Sequence, residues 1–332
     1  MLEHGGKLLD AAKKYKIPLD QWIDLSTGIN PQGWPVNTID PAVWTQLPQE
    51  NDGLRQAAQT YYGTKNLLPV AGSQAALSAL PRLRSRGSRV AILAPAFGEH
   101  KHAWQGAGFA VTGFAPGEIN QAVEQHDVVV LINPNNPTGD RFAINDCLKW
   151  HKTLSKKEGW LIIDEAFVDT TPEQSLVRSA DRPGLVVLRS LGKFFGLAGA
   201  RVGFVFAHPV FLEFLSELLG PWTLSGPSRL IAKRALTDHY WQQKTRLQLG
   251  INGQRLKNML IQYGLTPNGG TELFQWVKTD KAEPLHHALA QQAILTRLFD
   301  EPTALRFGLP GHEREWQKFE QVLQSLNVGD SQ

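Results

Sequence analysis

Asp127-Val128-Val129-Val130-Leu131-Ile132-Asn133-Pro134-Asn135-Asn136-Pro137-Thr138-Gly139 is the stretch from which the fold can be read. Five unbroken apolar residues run from Val128 to Ile132 and stop abruptly in a loop of Asn, Pro, Thr and Gly. A strand with one face in water alternates apolar and polar residues, whereas a strand covered on both faces does not. The run is therefore expected to be a central strand of a sheet with helices on both sides. Two X-Pro steps and a glycine stiffen the loop that follows, so its Asn side chains are held in place. Held amides suit hydrogen bonding to a ligand, and the same composition suits a plain tight turn.

Similar short apolar runs lie at residues 89–93, 160–163, 184–188 and 201–206, and helical patterns at 72–86, 98–107, 141–157 and 172–180. Strand and helix in alternation imply an α/β domain with a mostly parallel sheet. The first 35 residues read as an arm, with an amphipathic stretch (Leu8, Leu9, Ala12, Tyr15) leading through Trp22-Ile23-Asp24-Leu25-Ser26 to Gly28-Ile29-Asn30-Pro31. After Gly220-Pro221 and Gly226-Pro227 the pattern changes. A helix over 227–263, strands at 272–278, 295–299 and 304–309, and helices at 283–292 and 312–326 suggest a small α+β domain. The expected division is an arm (1–35) packing with the small domain, a large domain (36–225) and a small C-terminal domain (226–332).

Composition narrows the function without naming it. With 34 Lys plus Arg against 31 Asp plus Glu in 332 residues, the formal charge of +3 is too balanced for a chain whose main task is gripping nucleic acid. The basic run Arg82-Leu83-Arg84-Ser85-Arg86-Gly87-Ser88-Arg89 reads as a solvated helix end. No apolar run approaches the roughly 20 residues that span a bilayer, so no membrane partner is expected. The N-terminus also lacks a signal-peptide core. A lone cysteine, Cys147, suits the reducing cytoplasm and supports neither a disulfide framework nor a Cys-rich metal site. His312-Glu313-Arg314-Glu315 lacks the second histidine of a zinc motif, so no metal is expected.

Four segments put polar residues where open α/β sheets bind ligands, at strand carboxyl ends and helix starts. The Asn-Pro loop above is one. In Ala71-Gly72-Ser73-Gln74-Ala75-Ala76-Leu77, Gly72 permits close approach and Ser73 opens a helix, which makes either an anion site or a simple cap. Asp164, ending the apolar Trp160-Leu161-Ile162-Ile163, is costly to desolvate and calls for a cationic partner, a protonated pyridine nitrogen among the candidates. In Arg189-Ser190-Leu191-Gly192-Lys193-Phe194-Phe195-Gly196, Lys193 sits among apolar residues, the setting of a Schiff-base lysine, although a snorkelling surface lysine reads the same way. Ser190 and Arg201 flank it as phosphate ligands.

Taken in order, Gly72-Ser73-Gln74, Asn135-Asn136-Pro137-Thr138-Gly139, Asp164-Glu165-Ala166-Phe167, Ser190-Leu191-Gly192-Lys193 and Gly199-Ala200-Arg201-Val202-Gly203 resemble the fold-type I pyridoxal phosphate enzymes. Within these, the chain is similar to the aspartate aminotransferase-like class I and II aminotransferases. The arm, His4-Gly5-Gly6 with Asp24-Leu25-Ser26-Thr27-Gly28-Ile29-Asn30-Pro31, is similar to that of the threonine-phosphate decarboxylases of cobalamin biosynthesis, relatives of the histidinol-phosphate aminotransferases.

The resemblance implies pyridoxal 5'-phosphate as cofactor. Lys193 would form the Schiff base, Asp164 would pair with the ring nitrogen, Asn136 would bond the ring 3-oxygen and Phe97 would stack on the ring. Ser73, Gln74, Ser190 and Arg201 would hold the cofactor phosphate. Arg306, in Ala304-Leu305-Arg306-Phe307-Gly308, would grip the substrate carboxylate, His4 and Asn30 the substrate phosphate, and Trp222 would wall the pocket. The implied substrate is a phosphorylated amino acid, decarboxylated by a homodimer. The catalytic set is shared with the aminotransferases, so a histidinol-phosphate-type aminotransferase is the alternative. Two positions depart from the family pattern: Phe167 stands where relatives commonly carry Tyr, and Leu47 where many carry a Tyr that reaches the neighbouring subunit.

Overall fold

In the computed structural model, residues 4–326 are described. Their thirteen strands are, in chain order, β1 (Ile23–Asp24), β2 (Leu67–Val70), β3 (Val90–Leu93), β4 (Val111–Phe114), β5 (Val128–Ile132), β6 (Trp160–Asp164), β7 (Leu185–Ser190), β8 (Gly203–Phe206), β9 (Gly269–Thr271), β10 (Phe274–Lys278), β11 (Ile294–Leu295), β12 (Arg297–Asp300) and β13 (Thr303–Gly308). The chain groups into two units. One comprises Gly33–Asn136 and Arg141–Gln243; the other comprises the described residues up to Gln32, Pro137–Asp140 and those from Lys244.

The first unit is built on a seven-stranded sheet of order β2-β8-β7-β6-β5-β3-β4. Strands β4, β3, β5, β6 and β7 are parallel, and β8 runs antiparallel between β7 and β2. Strand β5 is buried at every position, as its unbroken apolar run requires. Val130, Ile162, Leu188 and Val205 pack with Leu77, Trp104 and Leu215 from the covering helices. Each such burial is worth about 1.5–3 kcal/mol, well above the few tenths by which local propensities differ. Registers Ile132↔Asp164 and Asp164↔Leu188 align the carboxyl ends of β5, β6 and β7.

Two strands carry no such apolar run. Strand β4 is an edge whose central Thr112 and Gly113 are exposed. Strand β2 is the other edge and contains Pro69, which an edge tolerates because no ladder donor is required there.

The expected helix over 172–180 is absent. Two short turns stand there instead, at Pro172–Gln174 and Val177–Ser179, preceded by a third at Val168–Thr170. The Leu176 N–H donates to Glu165 Oε1 at 2.7 Å, and Ser175 Oγ bonds the other oxygen of that buried carboxyl. Hydrogen bonds to a charged group, at about 1.5–3 kcal/mol each, outweigh what a single helical turn offers. The helix expected from 72 to 86 likewise ends at Ala79 and tightens into a turn at Leu80–Leu83.

The single helix expected over 227–263 is two, Gly226–Thr237 and His239–Gln262. Asp238 breaks it: one carboxylate oxygen accepts the Trp241 N–H at 3.0 Å and the other accepts Trp34 Nε1–H at 3.0 Å. The expected boundary at 226 also moves, because the helix Gly226–Thr237 groups with the larger unit. There Arg229 grips Asp52 with two hydrogen bonds of 2.6 and 2.9 Å. Burial works to raise the Asp52 pKa, but Arg229 and the Leu54 N–H outweigh it and hold the carboxyl below its usual value.

The smaller unit carries a four-stranded antiparallel sheet, β12-β13-β10-β9, while β1 pairs in parallel with β11. The run at 272–278 is thus a hairpin arm, and that at 295–299 splits at Thr296, whose hydroxyl lies 2.8 Å from His286 Nδ1. Helix Leu8–Tyr15 seats Ala11, with Leu8, Ala12 and Tyr15, against Trp22, Ala290 and Leu295; Leu9 points to solvent.

Candidate active site

The aligned ends of β5, β6 and β7 gather the polar residues singled out in the larger unit. Asp164 closes β6 almost fully buried. Its Oδ1 accepts the Ala166 N–H at 3.0 Å, and its Oδ2 lies 3.0 Å from His100 Nε2. His100 was not anticipated from sequence. It is fully buried on the helix Gly98–Gly106, one turn beyond Phe97, and its Nδ1 has no hydrogen-bond partner among the described residues. The signal, a histidine three residues after the proposed stacking aromatic, is legible only once the helix is known.

A second corner forms around β8. Registers Val70↔Gly203 and Ser190↔Gly203 put the loop after β2 on one side of Gly203 and Ser190 on the other. Gly203 permits this closeness: a Cβ there would lie 2.5 Å from Ser73 N and 2.8 Å from the Gly72 carbonyl carbon. Gly72, at φ +72°, faces the Arg201 guanidinium, and a Cβ on it would lie 2.7 Å from Nη2. Arg201 also donates from Nη1 to Ala198 O at 3.2 Å, and Ser190 Oγ accepts the Gly192 N–H at 3.1 Å. The first N–H groups of the helix Gly72–Ala79, a hydroxyl and a guanidinium thus share one corner, a donor set suited to a phosphate dianion. The side chain of Gln74 donates from Nε2 to Glu99 Oε2 at 3.1 Å.

Lys193 follows two residues after the fully buried Leu191, with Phe194 and Phe195 equally buried beyond it. Its Nζ stands 5.4 Å from the centre of the Phe167 ring. The loop carrying half-buried Asn136 is pinned by its neighbours: Asn133 exchanges two 3.0 Å hydrogen bonds with the Phe142 backbone, and Asn135 Nδ2 donates to Pro95 O at 2.9 Å.

Behind these residues lies an ion cluster that sequence reading also missed. Glu165 follows Asp164 and Arg189 precedes Ser190, so both point away from the side those two residues use. Arg189 Nη1 bonds Glu165 Oε2 at 3.3 Å and Ser175 Oγ at 3.0 Å, Nη2 bonds Asp169, and the guanidinium lies 4.9 Å over the Tyr62 ring. Burial pushes the Glu165 carboxyl up, against the pull of Arg189. Burial also opposes the Arg189 charge, but Asp169, backed by Tyr62 and Glu165, overcomes it and holds the guanidinium above its usual value.

Trp222 is not brought to these residues. It is exposed at φ +56°, beside a cavity of about 450 Å³ whose lining includes Pro48, Arg55, Lys65 and Arg229 and none of the residues above. Cys147 is buried in a helix and its thiol is pushed up to about 12, chiefly by burial, which makes it inert. Among the described residues no cluster of His, Cys, Asp and Glu fits a metal ion, and no helix is long and apolar enough to cross a membrane.

In the smaller unit Arg306 is buried on β13, donating from Nη2 to Ser26 O at 2.8 Å and lying 5.2 Å over the Phe274 ring. Burial first, then the charge of Arg297 directly opposite on β12, brings its pKa down to about 10, against the pull of Asp24. Arg297 is a further residue not anticipated from sequence. Like charges directly opposite on antiparallel strands repel, and an anion between them would relieve the repulsion. Asn30 is buried and its Oδ1 accepts the Gln32 N–H at 2.9 Å, forming a turn. His4 is exposed, and the two glycines after it lie against Ser26 and Thr27.

A profile of the family described as aminotransferase class I and II matches residues 40–323. The threonine-phosphate decarboxylase of Pseudomonas aeruginosa is 48% identical over 97% of this chain and 97% of its own. That of a Sinorhizobium species is 39% identical over 92% of each. Among solved structures, histidinol-phosphate aminotransferase from Sinorhizobium meliloti in complex with pyridoxal-5'-phosphate superposes with a TM-score of 0.80 at 19% identity, covering 98% of this chain and 99% of that one, a likeness of fold. With the profile matching most of the sequence and relatives similar from end to end, the chain belongs to the aminotransferase class I and II family.

Proposed function

We propose that this protein is a pyridoxal phosphate-dependent decarboxylase that converts L-threonine O-3-phosphate to (R)-1-amino-2-propanol O-2-phosphate and carbon dioxide, a step of cobalamin biosynthesis. The observation that carries the substrate is the end-to-end similarity to threonine-phosphate decarboxylase, 48% over 97% of both chains.

The residues present fit the cofactor. The corner around Gly203 has no room for a Cβ and is lined by donors, as a phosphate requires. Asp164 is a buried carboxylate with space in its hydrogen bonding for a cationic nitrogen, and Lys193 lies beside an aromatic ring. When bound, pyridoxal phosphate supplies an electron sink for the bond broken at the substrate Cα.

The chain's own groups do the rest. Asp164, oriented by His100 and the Ala166 N–H, holds a proton at the ring nitrogen. Ser73, Ser190, Arg201 and the helix start bind the phosphate and fix the ring's position, and Asn136 donates to the ring oxygen. Arg306 binds the substrate carboxylate through its rigid fork and Arg297 its phosphate, with His4 and Asn30 as further candidates. Decarboxylation consumes one proton: the carboxylate leaves as carbon dioxide and Cα takes a proton in its place. Lys193 Nζ, the group that would anchor the cofactor, is the candidate to hold that proton.

We propose further that the enzyme is a homodimer. Trp44, Leu47 and Trp222 are 67%, 66% and 61% exposed in the larger unit, a degree of aromatic and apolar exposure that a second copy would cover. The buried lone thiol fits the cytoplasm.

The test is a single-turnover assay of the yellow holoenzyme with L-threonine O-phosphate, following carbon dioxide and absorbance together. Stoichiometric carbon dioxide with the starting spectrum restored supports the proposal. No carbon dioxide, with bleaching by histidinol phosphate or glutamate, makes the protein an aminotransferase.

A further inference from the structure

The arm meets the arginine proposed to bind the substrate anion, in its own unit, at Ser26. Arg306 Nη2 donates to the Ser26 carbonyl oxygen at 2.8 Å. That carbonyl is hemmed in from the other side by Gly5. A Cβ on Gly5 would overlap the Ser26 oxygen, lie 2.9 Å from its carbonyl carbon and 3.2 Å from Oγ. Gly6, at φ +81°, donates its N–H to Ser26 Oγ at 2.7 Å. Ser26 is fixed further by Asp24, whose Oδ1 accepts both the Ser26 N–H at 2.9 Å and the Ser26 hydroxyl at 2.5 Å. The strand that carries Arg306 closes on the same segment, since the Gly308 N–H donates to Leu25 O at 2.7 Å.

A peptide carbonyl aims where its plane points. Ser26 is held at its N–H, its hydroxyl and the face of its carbonyl, so the oxygen that receives Arg306 has one direction. A guanidinium binds a carboxylate or phosphate well only when its fork is presented in register, and a misplacement of an ångström is enough to lose much of that. Arg306 is also crowded by Arg297 opposite, so without a fixed acceptor it would swing away from its like-charged neighbour.

We propose that the Gly5-Gly6 pair is a positioning element: by wedging against Ser26 it fixes the carbonyl that orients Arg306, and so sets the affinity for the substrate anion independently of any contact made by His4. The assignment of Arg306 to the substrate rests on the function proposed above. The arm's glycines are then required for their lack of a side chain at a close approach, and the arm acts whether or not His4 touches substrate.

The experiment is a pair of double-mutant cycles on the holoenzyme, measuring kcat and KM for L-threonine O-phosphate. Gly5→Ala is expected to raise KM about tenfold, the scale of one lost hydrogen bond to a charged group, with a much smaller change in kcat and an unchanged cofactor spectrum. In an Arg306→Lys background the same substitution should add little. In a His4→Ala background it should keep its full effect. Ser26→Ala, which removes the hydroxyl bonded by Gly6 but adds no bulk, should shift KM the same way by less. Additivity of Gly5→Ala with Arg306→Lys, or disappearance of its effect in the His4→Ala background, overturns the proposal, because the glycines then serve only to carry His4.

A crystal structure of the Gly5→Ala holoenzyme decides the same point without substrate. Displacement of the Ser26 carbonyl with rotation of the Arg306 guanidinium supports the inference, and an Arg306 left in place sinks it. Absence of carbon dioxide from the unaltered enzyme overturns the substrate assignment instead and leaves that structural result standing.

Discussion

His100 Nε2 and Asp164 Oδ2 lie 3.0 Å apart, both side chains buried, the histidine completely. Asp164 therefore has one oxygen steered by a ring and the other by a backbone N–H. Replacing His100 with Phe should preserve the packing against Phe97 while freeing the carboxylate. The expected result is a fall in kcat of about ten- to a hundredfold, the range for a hydrogen bond to a charged group, and a red or blue shift of the bound cofactor's absorbance. An unchanged spectrum would mean that His100 is only a filler.

Lys193 is expected to be the covalent anchor. Borohydride should bleach the yellow holoenzyme and leave the label on the peptide containing Lys193, as read by mass spectrometry. Lys193→Ala should bind cofactor without becoming labelled and should lose at least three orders of magnitude in activity, the scale for removing a nucleophile or general base.

Phe167 presents its ring face to Lys193 at 5.4 Å and offers no hydroxyl. Phe167→Tyr adds a donor beside the proposed ring oxygen and favours its anionic form, so the pH-dependent change in visible absorbance should move to lower pH. Superimposable titrations of the two proteins would refute this.

Arg297 stands opposite Arg306 on adjacent strands, and its charge is one of the causes that bring Arg306 down to about 10. Arg297→Ala should therefore raise the melting temperature of the substrate-free protein by a degree or two while raising KM for the phosphorylated substrate about tenfold or more. A loss of both stability and affinity would make Arg297 a structural residue.

Glu165 has its carboxyl pushed above the ordinary 4.5 by burial. A group raised in the folded state contributes stability fully present below its unfolded value and lost as pH rises through the folded one. Glu165→Gln keeps one acceptor oxygen, for either the Leu176 N–H or Arg189, and cannot ionise, so whatever its overall stability, that stability should fall less between pH 4.5 and neutrality than that of the unaltered protein. Urea unfolding across that range measures the difference. Arg189→Leu, which leaves two carboxyls buried without their cation, should cost about 3–5 kcal/mol at neutral pH.

What was legible in the sequence was whatever a local pattern could carry. Val128–Ile132 and Leu161–Ile163 announce central strands because burial on both faces leaves no polar position. The residues proposed for the cofactor announce themselves because each sits near a strand end or a helix start. Strand β4 was not legible, since its exposed Thr112 and Gly113 pair with β3 at an edge that only the assembled sheet defines. Residues 172–180 have helical periodicity, yet the deciding partner of Leu176 is Glu165, eleven residues earlier. His100 and Arg297 likewise gain meaning from partners 64 and nine residues away, Asp164 and Arg306, which only the tertiary structure brings to them.

The register through Gly203 has a consequence for how the protein comes into being. Strand β8 enters between β2 and β7, and the corner shared by Ser73, Ser190 and Arg201 exists only once it is in place. Contacts between residues so far apart in sequence form late. On the ribosome, nearly two-thirds of the polypeptide must emerge before the nascent chain can capture its cofactor. Yellow colour would therefore date a maturing molecule, marking the moment at which its larger unit has closed.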